Sequence, residues 1–152
     1  LSMEQTEELL KDIIQFDKDY LDFTETPICP VSREEWEKQP FCGVGMDNLC
    51  IASDGIVYPC SGWQGMACGN VREQPIKDIW EKSPQLNKLR NLTKSAIPQC
   101  YDCEDRQFCA ACLVRNFNES GGDYLKVARH FCKAAHLNRI LVEEAKAKMR
   151  KG

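Results

Sequence analysis

The chain is notable first for what it does not contain. No apolar run approaches the roughly 18 residues of a membrane-spanning helix, so a membrane partner is not expected. There is no basic excess: 20 Lys and Arg face 23 Asp and Glu, for a net charge of -3. That argues against the positive footprint of a nucleic-acid-binding protein. Only two histidines occur, His130 and His136, and neither has a ligand-like spacing of its own. Both read as ordinary surface or partly buried residues. No charged-then-apolar leader opens the sequence, which together with Lys- and Glu-rich helix ends predicts a cytoplasmic protein. The chain begins at Leu1 rather than Met, which leads us to expect a piece of something longer.

What the chain does contain is cysteine, ten in 152 residues. Three chemistries use thiols at that density: a disulfide framework, structural zinc, or iron–sulfur clusters. Disulfide scaffolds belong to secreted and usually shorter chains, so the metal readings are favoured.

Residues 2 to 20 read as a helix, with Ser2 and Gln5 as a capping box and Leu9, Leu10, Ile13, Ile14 and Phe16 as an apolar stripe. Three prolines make residues 24 to 41 irregular, with a short turn near "REEWEK". Residues 48 to 60, "NLCIASDGIVYPC", read as a hairpin turning at Asp54-Gly55. Residues 75 to 92 read as helical, broken by Pro84 with Ser83 as the cap of the second piece. The segment 99 to 118 is too dense in thiols for an ordinary core element. After "SGGD", residues 123 to 149 read as one long final helix. The fold class expected is α+β: a small irregular domain with a hairpin, several short helices and a long C-terminal helix organised around two metal clusters. Its parts are a leading helix and linker (1–40), a cysteine-bearing domain (41–136) and a charged helix end (137–152).

The dense segment is Cys100-x2-Cys103-x5-Cys109-x2-Cys112. An x2 spacer lets two thiolates reach one metal from a single turn, in zinc and iron–sulfur sites alike. Upstream, Cys42-x12-Gly55-x4-Cys60 brackets the hairpin, and Cys132 lies twenty positions after Cys112. In order and spacing, these seven cysteines and the turn glycine resemble the SPASM domain, the auxiliary-cluster domain of radical S-adenosylmethionine enzymes that modify peptides and proteins. "SDGIVYPC" and "GNVREQPIKDIW" extend the likeness, which runs from about Phe41 to about Ala135. One departure is the two-residue spacer "AA" before Cys112, where the family commonly has three.

The resemblance implies two [4Fe–4S] clusters with interleaved ligands. Cys100, Cys103, Cys109 and Cys132 would hold one. Cys42, Cys60 and Cys112 would hold the second. Cys29 is the favoured fourth ligand there, in a proline-flanked loop. A two-residue turn would set Cys60 across from Leu49 and point Cys50 to the opposite face, which counts against Cys50. An iron left open to substrate or solvent is the other alternative. Cys68 reads as a buried thiol acting as a small hydrophobe.

The resemblance also implies partners: an upstream radical S-adenosylmethionine barrel and a peptide or protein substrate, with electron transfer and substrate engagement as the roles. No cysteine here has partners at plus four and plus seven, the spacing that holds the radical-generating cluster. This chain is therefore expected to carry no catalytic residue and to meet S-adenosylmethionine only through a missing upstream domain. The competing reading is a zinc-stabilised interaction module without redox function, its metal held by the four clustered cysteines alone.

Overall fold

The computed structural model describes residues 1–24, 31–109 and 111–150. The architecture is α+β, with a three-stranded antiparallel sheet among short helices and one long C-terminal helix. The chain divides into two compact units that interleave along the sequence. Unit 1 takes Leu1–Arg33, Gln99–Ala111 and Arg115–Gly152, and unit 2 takes Glu34–Pro98 and Cys112–Val114.

In unit 1, α1 (Met3–Phe16) starts at the expected capping box. The Ser2 hydroxyl accepts from the Gln5 amide at 3.2 Å, and the Gln5 side chain accepts from the Ser2 amide at 2.9 Å. The helix is shorter than residues 2 to 20. Asp17 ends it and caps α2 (Lys18–Phe23), its carboxylate accepting from the Asp19 amide at 3.1 Å. Asp is a strong N-cap residue, and here it starts a new helix instead of continuing the old one. α1 packs on the final helix, where Tyr20 of α2 bonds Asn138 at 2.9 Å.

The final helix, called α7 (Arg129–Met149), begins six residues later than its sequence pattern suggests. Gly121 and Gly122 have φ of 76° and 128°, which breaks the chain after a helix, α6 (Leu113–Ser120), that was not foreseen. Asp123 then folds back on the Leu125 amide at 3.0 Å. The buried Asn116 side chain bonds the Tyr124 carbonyl and the Ala128 amide, occupying the groups that would have extended α7 backwards.

Unit 2 holds a short helix α3 (Arg33–Glu37, from Glu34 on), the sheet β1 (Cys50–Ile51), β2 (Ile56–Tyr58) and β3 (Gly69–Asn70), and two further helices. These are α4 (Ile76–Lys82) and α5 (Pro84–Arg90), separated at Pro84 as expected, although the Ser83 side chain makes no capping bond. The core is Val57, Cys68, Ile79 and Leu86, with Leu49, Val71 and Trp80 against it. Burying each of the three aliphatic members contributes about 1.5–3 kcal/mol.

The hairpin register corrects one expectation. Cys50 pairs with Tyr58 and Ile51 with Val57, and the Ala52 amide donates to the Ile56 carbonyl at 2.9 Å. The turn is therefore the three residues Ser53, Asp54 and Gly55, not the pair Asp54-Gly55. Gly55 takes φ of 91°, the left-handed position that closes a three-residue hairpin loop. A one-residue change of register reverses which faces coincide. Cys50 now shares a face with Tyr58, and Cys60 follows two positions on. The strand-face argument against Cys50 falls. A third strand, β3, was not foreseen; it pairs Gly69 with Val57 and Asn70 with Ile56.

Candidate metal centres

In unit 1, four thiols are carried to one region by different local structures. Cys100 ends a 3-10 turn (Pro98–Cys100), and Cys109 directly follows another (Arg106–Phe108). The Cys103 carbonyl accepts from the Arg106 amide at 3.1 Å. Cys132 lies in the first turn of α7, where the helix dipole favours a thiolate. The thiols act on one another. Burial, then Cys109, Cys132 and Cys103, push Cys100 up to about 11 from its ordinary 9.0. Burial, then Cys132 and Cys103, raise Cys109, with Arg115 opposing. Burial and Cys103 raise Cys132, with Arg129 opposing. Cys100, Cys109 and Cys132, half-buried and raised, form with the exposed Cys103 a donor set that bound cations would relieve, because metals take cysteine as thiolate. The residues present fit an iron–sulfur group.

Around them is a polar frame that spacing alone did not reveal. Asp105, two residues after Cys103, receives Arg139 Nε at 2.7 Å, and His136 Nδ1 lies 3.4 Å away. Arg139 also reaches Glu143 at 3.2 Å. Arg139 is seven positions beyond Cys132, two turns along one helix face, and that periodicity was the available signal. Arg33 pairs with Asp102, and its guanidinium lies 4.6 Å from the Tyr101 ring centroid. His130 and His136 are engaged in this frame through a backbone amide and Asp105 respectively.

Unit 2 contains Cys42, Cys60 and Cys112. Cys42 is exposed, and the other two are half-buried. Cys60 sits just past the hairpin, its carbonyl accepting from the Trp63 amide at 3.0 Å. Gly62 marks where the hairpin end meets the segment after Cys112. A Cβ there would lie 3.5 Å from Val114 Cγ1 and 4.0 Å from Cys60 Sγ. Cys112 immediately precedes α6. The division between units thus falls between Ala111 and Cys112, inside the dense run. Cys50 is half-buried on β1. Cys68 is 6% exposed within the core, and burial raises its pKa. The Cys29 position lies outside the described residues, as does Ala110 of the short spacer. Among the described residues, no group of three or more His, Cys, Asp or Glu forms a single-ion site. No helix among them is long and apolar enough to cross a membrane.

Comparison with known proteins bears on this arrangement. Residues 42–104 match the family model of SPASM, an iron–sulfur cluster-binding domain. An AdoMet-dependent heme synthase of Methanosarcina barkeri is 38% identical over 84 residues, 55% of this chain and 23% of that protein. The AdoMet-dependent heme synthase of Nitratidesulfovibrio vulgaris is 37% identical over 79 residues, 51% of this chain and 21% of that protein. A Fe-coproporphyrin III synthase of Methanosarcina barkeri is 31% identical over 72 residues, 44% of this chain and 18% of that protein. The match thus spans about a fifth of the length of these curated relatives. No solved structure matches the chain.

Proposed function

We propose that this chain, whose residues 42–104 match the SPASM family of iron–sulfur cluster-binding domains, is the auxiliary-cluster part of a radical S-adenosylmethionine enzyme. In this reading Cys100, Cys103, Cys109 and Cys132 hold one [4Fe–4S] cluster. Cys42, Cys60 and Cys112 hold a second. The observation that carries the reading is the division of the dense run. Cys109 falls in unit 1 with Cys100, Cys103 and Cys132, and Cys112 falls in unit 2, which holds Cys42, Cys50, Cys60 and Cys68. Cys29 remains the proposed fourth ligand of the second cluster, and the hairpin register makes Cys50 its competitor.

When bound, such clusters accept and pass on single electrons. The residues of the chain bring thiolates together, bury part of each centre and place charges beside it. A substrate radical oxidised in the parent enzyme would deliver its electron here. The expected peptide or protein substrate finds no support in the relatives, whose names are those of heme and Fe-coproporphyrin III synthesis. We therefore take an iron tetrapyrrole as the substrate class to test first, with a peptide as the second.

Anaerobic reconstitution with iron and sulfide tests the cluster reading. A brown protein with broad absorbance near ~400 nm and about eight irons per chain supports it. A colourless protein holding one tightly bound zinc refutes it in favour of the zinc module. For the substrate, titration of the reconstituted full-length enzyme with Fe-coproporphyrin III should give a saturable Soret shift; saturable binding of a peptide alone would reverse the choice.

A further inference from the structure

Arg115 lies in the second half-turn of α6, and its guanidinium stands 4.3 Å from the Phe131 ring centroid. Phe131 is the residue before Cys132. Arg115 and Cys109 both line a small cavity of about 180 Å³, together with Phe108, Phe131 and Ala135. Although Arg115 is exposed, its charge is held in place over an uncharged ring rather than against a carboxylate. Of the other charges near the four thiols, Arg106 also stands over a ring, 5.1 Å from the Tyr101 centroid, and donates to the Tyr101 carbonyl at 3.0 Å. Asp105 is held by Arg139 at 2.7 Å. The Glu119 carboxylate accepts from the His130 amide at 3.1 Å with each oxygen. Arg129, the first residue of α7, is exposed.

We infer that Arg115 is a charge-positioning residue for the cluster proposed on Cys100, Cys103, Cys109 and Cys132, raising its reduction potential by stabilising the reduced state. The inference rests on the cluster reading above. The step is a one-electron reduction: an electron from an added low-potential reductant enters the cluster, no bond to the protein changes, and no proton moves. The added negative charge is then met by the fixed guanidinium.

The test is an EPR-monitored redox titration of the reconstituted chain and its R115Q and R115K variants. In R115Q, with iron content retained, one of the two cluster potentials should fall. The oxidised-to-reduced ratio of that cluster at fixed potential should rise about threefold, equivalent to about 28 mV for a one-electron couple. R115K keeps the charge and should stay close to the unaltered protein. The gap between R115Q and the unaltered protein should narrow as KCl rises, because an exposed charge is screened. Unchanged potentials in an iron-replete R115Q overturn the inference. So does an R115K shift as large as that of R115Q, since packing rather than charge would then set the potential. If the unaltered chain takes up no iron–sulfur cluster, both the inference and the reading beneath it fall.

Discussion

Cys109 and Cys112 stand three positions apart, yet changing each to serine is expected to empty a different centre. Cys109 lies in unit 1 with Cys100, Cys103 and Cys132, and Cys112 lies in unit 2 with Cys42 and Cys60. Cys109 also shares an electrostatic environment with Cys132 and Cys103. With about eight irons in the reconstituted chain, each single variant should retain about four. Double variants sharpen the case, because ligands of one cluster act as a unit and their losses do not add. Cys109→Ser with Cys132→Ser should still retain about four irons. Cys109→Ser with Cys112→Ser should retain almost none. Iron and sulfide assays give the counts, and EPR of the reduced proteins shows which signal has gone. A single four-cysteine site predicts the opposite: both single variants would lose the same metal, and the Cys109/Cys112 pair would do no further harm. That result, or unchanged metal content after Cys132→Ser, would refute the two-centre assignment.

Other consequences concern the fold and the thiols themselves. A side chain at Gly55 would need φ of 91° and would bring Cβ within 2.6 Å of Asn70 Oδ1. Gly55→Val should thus cost about 1–3 kcal/mol, and an unchanged denaturant midpoint would refute the turn geometry. Cys68→Val should leave iron content intact, because that thiol belongs to the core; loss of iron would make it a ligand instead. In the reduced, iron-free chain, burial and neighbouring thiols lift Cys100 from 9.0 to about 11. The unfolded chain then ionises first, so the stability linked to this thiol is present below pH 9 and declines toward pH 11. Thermal melts across that window should show the decline, and Cys100→Ser should lessen it; a flat profile for the unaltered chain would contradict the shared environment of the four thiols.

Much of the local structure was legible because it depends on neighbours a few residues apart. The capping box at Ser2, the helix break at Pro84 and the hairpin around residue 55 all follow from short-range preferences. The misses have a common cause in side chains that bond at a distance or at a boundary. Asp17 divided the first helix by capping a second one. Asn116, bonded to Tyr124 and Ala128, delayed the start of α7. The hairpin turn was placed one residue too tightly, since Asp-Gly suits both a two-residue turn and the end of a three-residue loop. That single residue reverses the standing of Cys50. The Asp105–Arg139 pair joins residues 34 positions apart and has no local signature apart from the shared face of Cys132 and Arg139.

The sequence by itself determined the chemistry available: seven thiols with a turn glycine at spacings that match an iron–sulfur domain, and no histidine with comparable spacing. Thiol spacing is a covalent property, and it sets which cysteines one turn of chain can present together. Only the tertiary structure decided how the hairpin closes and where the final helix starts, since both depend on bonds between particular residues of the folded chain. The boundary after Ala111 between the two compact units is likewise a property of the folded chain, not of thiol spacing. The same holds for Arg115, whose place over Phe131 depends on how α6 meets α7.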